Sequence, residues 1–318
     1  MHLTRRTFLE TLALAAASTA THAQTPASEW PSPVIDCHFH ERKSPAANLA
    51  HLDGSGTTQA FLLTHIEPTL TDDVKLLQTT YPNRFPAYAA ATGVAQPGAE
   101  KLLTDAIKSG AQAFAEIKSH VAADSPEMLR IYALAAELNV PIMMHFQEVT
   151  GVYPAAGPST PVPTGFNTAF ARFDSVLKAF PKTRFIGHAN AFWANISADY
   201  KNTPQYPTGP IVPGGLTDRW LSDYPNLFGD LSANSGNNAL SRDPAFTADF
   251  LKRHQDKLLF GSDCPCTDGH GAGATLAPRL AGQCLARATL TLLKQSTTPE
   301  LFHKIAWVNG HHAYAIKT

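Results

Sequence analysis

Two histidines stand one residue apart at the end of an apolar run, Val34-Ile35-Asp36-Cys37-His38-Phe39-His40. Side chains on a β-strand alternate faces, so His38 and His40 point the same way, about 7 Å apart along the strand. Two imidazoles on one face at a strand end make half of a metal site. A solvated loop could carry the same pair to no purpose, and the rest of the chain decides between these readings. Later apolar runs end in His145, His188 and Asp263. Four imidazoles and a carboxylate suit a divalent metal, zinc first, with manganese, iron or cobalt as alternatives.

Other residues invite weaker readings. Glu116, Lys118 and His120 share parity on one expected strand. Lys118 could simply pair with Glu116 or Asp36. His65 ends another apolar run and is either a substrate contact or rim decoration. Arg42 follows the first motif and could meet a substrate carboxylate in bidentate fashion. Phe192, Trp193 and Trp220 could line a pocket or serve as packing anchors.

These groups must be positioned by strands that end at a common rim. Expected strands run over Val34 to His38, Ala60 to His65, Phe85 to Ala91, Ala111 to Ser119, Val140 to Phe146, Thr183 to His188, Leu227 to Ala233 and Lys257 to Asp263. Between them, helical spacing covers Asp72 to Tyr81, Gly98 to Ser109, Ser125 to Asn139, Phe166 to Phe180, Leu216 to Ser222 and Asp243 to His254. Two more helices are expected over Leu276 to Lys294 and Pro299 to Tyr314. Asn48 to Thr58, Gly151 to Gly165 and Ala189 to Gly215 read as loops, and a loop as long as the last is usually functional. Strands alternating with helices imply a parallel sheet, and eight such units imply an α/β fold, a closed (β/α)8 TIM barrel with long loops at its C-terminal face. The rival, an open doubly wound sheet, lacks a Gly-rich nucleotide turn after its first strand.

The chain has 318 residues, 44% of them hydrophobic and 16% charged, with a net charge of −1. That supplies a large core and gives no reason to expect nucleic acid or an anionic membrane surface as partner. A small-molecule substrate is the expected partner, and a homo-oligomer is left open. Thr4-Arg5-Arg6-Thr7-Phe8-Leu9, a weakly apolar stretch and small residues up to Ala23 resemble a twin-arginine export signal over residues 1–23. Residues 24–33 then form a linker, residues 34–318 the barrel, and the mature protein is expected in the periplasm. The four cysteines, Cys37, Cys264, Cys266 and Cys284, do not read as a disulfide framework.

Taken together, Ile35-Asp36-Cys37-His38-Phe39-His40, Met144-His145-Phe146, Ile186-Gly187-His188-Ala189 and Phe260-Gly261-Ser262-Asp263-Cys264-Pro265 resemble the amidohydrolase superfamily, in its amidohydrolase-related (amidohydrolase 2) branch. Lys304 to Gly310 is similar to that branch's C-terminal helix. The resemblance implies a metal-dependent hydrolase with His38, His40 and His145 as ligands. Asp263 would ligate or flank the metal and move the proton of its water. His188 would be a further ligand or would polarise the substrate. A lysine at the position of Lys118 is carboxylated and bridges two metals in other branches, so one or two ions are expected; a glutamate can do a similar job. Substrates in the branch are often cyclic or aromatic acids, lactones or amides. The expected activity is therefore hydrolysis of a small cyclic ester or amide. Decarboxylation of an aromatic or unsaturated acid is the alternative, and a non-catalytic periplasmic binding barrel is the third reading.

Overall fold

A computed structural model describes residues 29–66, 72–148, 165–200, 206–274 and 280–316. The export signal, half of the linker (residues 24–28) and most of the Gly151 to Gly165 stretch lie outside the described residues. Eight parallel strands run in sequence order: β1 (Ile35–His40), β2 (Gln59–His65), β3 (Ala87–Ala91), β4 (Phe114–Ile117), β5 (Ile142–His145), β6 (Phe185–His188), β7 (Leu227–Asp230) and β8 (Leu258–Leu259). The ring is completed where Cys37 N donates to Phe260 O at 3.0 Å and Asp263 N to His38 O at 2.9 Å. The fold is the expected (β/α)8 barrel.

Two layers of core follow from strand alternation. Ile35, Cys37, Phe61, Ala89, Ala115 and Met143 point inward and fill the barrel, alanines opposing larger side chains. Val34, Phe39, Leu62, Phe114, Met144 and Phe185 point outward into the helix layer. Tyr314 plugs the floor, its ring stacked on Phe61 at 3.9 Å. With the floor closed, the functional end is the rim where the strands finish.

Helix α1 (Pro45–Ser55) occupies a stretch expected as loop from Asn48. Its start is well encoded: Ser44 caps the amide of Ala47 and Pro45 sits in the first turn. Gly56 ends it in the left-handed conformation. What hid it is a weak apolar face, because buried Asn48, His51 and Ser55 replace the usual aliphatic stripe. Helices α2 (Asp72–Thr80), α3 (Ala99–Lys108) and α4 (Pro126–Glu137) match expectation, and Ser125 caps Met128 N as its type suggests. Next come α5 (Phe173–Ala179), α6 (Ala189–Ala194), α7 (Leu216–Asp223), α8 (Ala233–Ser241), α9 (Pro244–Arg253) and α10 (Leu285–Ser296). Both α6 and α8 are short, directly follow a strand and lack an amphipathic period long enough to read. The chain ends through α11 (Pro299–His303), a π-helical turn (Lys304–Val308) and α12 (Asn309–Ala313). Among the described residues no helix is long and apolar enough to cross a membrane.

Candidate metal centre

Strand β1 does not keep a simple two-residue period. Asp36 pairs with Ala60 but Phe39 with Leu62, so one extra residue is accommodated between them. Cys37 faces the barrel interior, while His38 and His40 both reach the rim, their Nε2 atoms 3.2 Å apart. Buried Asp36 anchors this irregularity. It accepts hydrogen bonds from His38 N (3.0 Å), Ser262 N (2.8 Å) and Ser262 Oγ (2.5 Å), tying β1 to the segment after β8. Burial pushes its carboxyl pKa up despite those bonds.

Strand β4 has the same irregularity. Phe114 pairs with Ile142 but Ile117 with Met144. Ala115 fills the barrel, Ile117 faces the helices, and Glu116 between them turns into the site. Its two oxygens face different histidine pairs. Oε1 contacts His145 Nδ1 and lies 3.2 Å from His188 Nε2. Oε2 lies 3.6 Å from His40 Nε2 and 3.8 Å from His38 Nε2. Asp263 completes the ring from the solvent side. Its Oδ1 is 3.6 Å from His40 Nε2 and 3.9 Å from His38 Nε2, and its Oδ2 is 3.9 Å from His188 Nε2.

The outward edges of the imidazoles are fixed as well. His38 Nδ1 donates to Asp230 Oδ2 at 2.6 Å. His188 Nδ1 lies 2.7 Å from Ser232 Oγ, which itself donates to Asp230 at 2.5 Å. With Nδ1–H committed outward, Nε2 is the atom that each ring turns inward, the orientation that metal-binding histidines need. His188 Nε2 is buried and makes no well-formed hydrogen bond, although Glu116 Oε1 is close.

These donors fit a metal. A tetrahedral zinc with Zn–N of about 2.0–2.1 Å has N···N edges of about 3.4 Å, and two overlapping donor groups approach that spacing. One is His38, His40 and Asp263; the other is His38, Glu116 and His188. Glu116 turns one oxygen toward His145 and His188 and the other toward His38 and His40.

Charge supports the same conclusion. Burial pushes the His38 imidazole down, but Asp263, Asp230 and Glu116 outweigh it and raise its pKa to about 10. Burial and the neighbouring His38 push His188 down. Glu116 is pushed up by burial, yet His145, His188 and His40 hold it well below the usual carboxylate range. The metal-free cluster therefore retains a proton among its carboxylates, and a cation can take that proton's place.

The structure thus brings His38, His40, His145, His188 and Asp263 together. It places the other three candidates and Lys118 differently. The Lys118 Nζ sits 5.2 Å over the Phe166 ring and belongs to neither donor group. The carboxylate that faces both histidine pairs is Glu116. Arg42 does not face outward for a substrate. Its guanidinium donates to the carbonyls of Cys264 (2.8 Å), Cys266 (3.0 Å) and His40 (3.2 Å) and packs on Phe39. Trp193 is buried behind the site, with Nε1 donating to Asp230 O at 2.8 Å, so it supports the centre from behind. His65 ends β2 exposed at the rim. Asp230 and Ser232 escaped the sequence reading. Asp230 ends the apolar run Leu227-Phe228-Gly229 just as Asp263 ends its own, and the same criterion could have found it.

The amidohydrolase family model matches residues 35–315. No curated protein sequence matches the chain. Among solved structures, the 5-carboxyvanillate decarboxylase of Sphingomonas paucimobilis aligns at 12% identity and TM-score 0.54, covering 90% of this chain and 99% of its own. A probable 2-pyrone-4,6-dicarboxylic acid hydrolase of Acinetobacter baumannii aligns at 12% and 0.53, covering 89% and 100%. A dihydroxybenzoic acid decarboxylase of Polaromonas with bound manganese aligns at 14% and 0.50, covering 89% and 97%. At these identities the likeness is one of fold. The family match spans the whole barrel and every strand end that carries a donor, and on that basis the chain belongs to the amidohydrolase family, in its amidohydrolase-2 branch.

Proposed function

We propose that this protein is a metal-dependent hydrolase that opens a small, carboxylate-bearing cyclic ester or amide. The observation that carries the reading is the placement of Asp263. It is the most exposed carboxylate of the centre, 32% accessible against 5% for Glu116 and 0% for Asp230. It therefore faces incoming substrate and water while staying within 4 Å of three imidazoles.

His38, His40, His145, His188, Glu116 and Asp263 would hold one or two divalent ions, zinc first and manganese, iron or cobalt as alternatives. A bound ion polarises an acyl oxygen and brings the pKa of water from about 15.7 toward 7. Asp263 takes the proton from the attacking water and passes it to the departing oxygen or nitrogen, which converts a poor leaving group into a good one. Asp230 and Ser232 hold the His38 and His188 rings in place throughout. Lys118, one aromatic ring away from His145 across Phe166, supplies a cation for a substrate carboxylate.

The test is a panel of lactones, cyclic amides and aromatic acids offered to metal-loaded protein, reading acid release and carbon dioxide separately. Acid release from a lactone or amide supports the proposal. Carbon dioxide from an aromatic or unsaturated acid replaces it with the decarboxylase. Tight ligand binding without turnover replaces it with the binding barrel. Export is part of the same proposal: a mature chain recovered from the periplasm without residues 1–23 supports it, and full-length protein retained in the cytoplasm does not.

A further inference from the structure

A second group of metal-capable side chains lies outside the centre. His51 of α1, Cys264 and Cys266 of the loop after β8, and Cys284 at the start of α10 are all buried, and their donor atoms lie within 4.8 Å of one another. Cys264 Sγ is 3.3 Å from Cys266 Sγ and 3.9 Å from Cys284 Sγ, and Cys266 Sγ is 3.4 Å from His51 Nδ1. A tetrahedral site with Zn–S of about 2.3 Å and Zn–N of about 2.0 Å has S···S edges of about 3.8 Å and S···N edges of about 3.5 Å. The observed separations bracket those edges without any bond being drawn.

We propose that His51, Cys264, Cys266 and Cys284 form a closed Cys3His site for a structural zinc ion, separate from the catalytic centre.

The surroundings of Cys264 and Cys266 supply donors to their sulfurs. Leu285 N donates to Cys264 Sγ at 3.3 Å from the first turn of α10, where the helix dipole favours negative charge. Backbone amides of Gly269 and Gly271 hydrogen-bond to the Cys266 sulfur. Three thiolates, a neutral imidazole and a divalent ion sum to one negative charge. The guanidinium of Arg42, bonded to the carbonyls of Cys264 and Cys266, neutralises it at close range. All four coordination positions are filled by protein, so the site has no opening for substrate. Disulfide chemistry fits less well. Any one bond among three cysteines strands a buried thiol, and the nearest pair, Cys264 and Cys266, is separated by a single proline.

A zinc ion here would clamp three distant chain segments together: α1, the β8 loop and α10. That loop also carries Asp263, immediately before Cys264, so the clamp would fix the loop that presents the catalytic carboxylate. The inference does not depend on the reaction proposed above.

The experiment uses the full chain, stripped of metal and reloaded with cobalt(II). A thiolate-to-cobalt charge-transfer band is expected in the wild type and in His145→Ala, and its loss in Cys284→Ser and Cys266→Ser. Zinc content of the same proteins as purified should fall by one equivalent in the two cysteine variants. Wild-type protein gives an independent readout if those variants fail to fold. Peptide mapping after alkylation should find Cys264, Cys266 and Cys284 protected until a strong chelator is added. Free alkylation of these thiols in the zinc-loaded protein, absence of the cobalt band, or a Cys264–Cys284 disulfide in the intact mass would each overturn the site.

Discussion

Replacing Asp263 with asparagine tests the proposed chemistry with little structural disturbance. Asp263 has a φ of 46°, a left-handed conformation that costs most residues about 1–2 kcal/mol but that asparagine adopts readily. The backbone bond from residue 263 N to His38 O at 2.9 Å can persist, and the amide oxygen can still face the ion. What asparagine cannot do is accept the proton of the attacking water. A positioned general base is worth about 10²–10⁴-fold, or about 2.7–5.4 kcal/mol of barrier. Asp263→Asn should therefore lose that much in kcat at saturating metal, with metal content within about twofold of wild type and an unchanged melting temperature. Asp263→Ala is the poorer probe, since it adds left-handed strain to the chemical loss. The assay is initial rate on the best substrate of the panel, with metal quantified in the same samples. Turnover within threefold of wild type would remove Asp263 from the mechanism.

Chelation should abolish turnover, and His38→Ala or His145→Ala should lose metal by elemental analysis; full activity in a metal-free preparation would reject the metal mechanism. Asp230→Asn should keep the fold but weaken metal affinity about 10–100-fold, because it releases the His38 and His188 rings rather than removing a ligand. Gly261→Ala should act similarly: its Cβ would lie 2.3 Å from Asp230 Oδ1 and 2.7 Å from His38 Cβ, and a normal titration curve for that variant would contradict the packing. The metal-free protein should lose stability as pH rises. The pKa of His38 is raised to about 10, so its contribution is complete below about 6.5 and disappears as pH climbs through 10. Metal affinity should climb over the same interval as the competing proton leaves, with proton release visible in calorimetry in two buffers; a pH-independent melt of the metal-free protein would refute this. Activity of the loaded enzyme should fall below about pH 6, because imidazole must be neutral to ligate.

The barrel and most of its centre were legible because parallel strands buried on both faces read as apolar runs, and a polar residue at the end of such a run stands out. His38, His40, His145, His188 and Asp263 were visible in that way, and the same rule would have given Asp230. Two helices were not legible: α6 spans six residues directly after β6, too few turns to establish a period, and α8 carries Asn234, Gly236, Asn237 and Asn238, residues that read as a turn. The distinction between Glu116 and Lys118 was not legible for a different reason. Lys118 lies just past the strand end at Ile117, and its Nζ is placed over Phe166, a ring from a segment distant in sequence that spacing within β4 does not foretell. The inward turn of Glu116 beside Ala115 was hidden as well. The extra residue becomes visible only against β5, where three residues of β4 span two of its neighbour.

The same device recurs in β1, where three residues from Asp36 span two of β2. In both strands the irregularity lies at the rim end, after an inward-facing small or apolar residue, Ala115 or Cys37, and it turns the very next side chain into the site as well. Regular alternation would offer each strand one inward position in every two. A metal centre needs more donors at one height than that spacing allows. An extra residue on two strands supplies His38 directly above Cys37 and Glu116 directly above Ala115, so the barrel stays filled below while the donors crowd at its mouth. Asp36 holds the first irregularity through Ser262, and Ser262 precedes Asp263. The backbone feature that aims the histidines is thereby joined to the segment that carries the proton-transferring carboxylate. On this account Asp36→Ala should disturb His38 and Asp263 together, lowering metal content and turnover in one step although Asp36 itself is no ligand. Loss of only one of the two would show that the strand irregularity and the β8 loop are held independently.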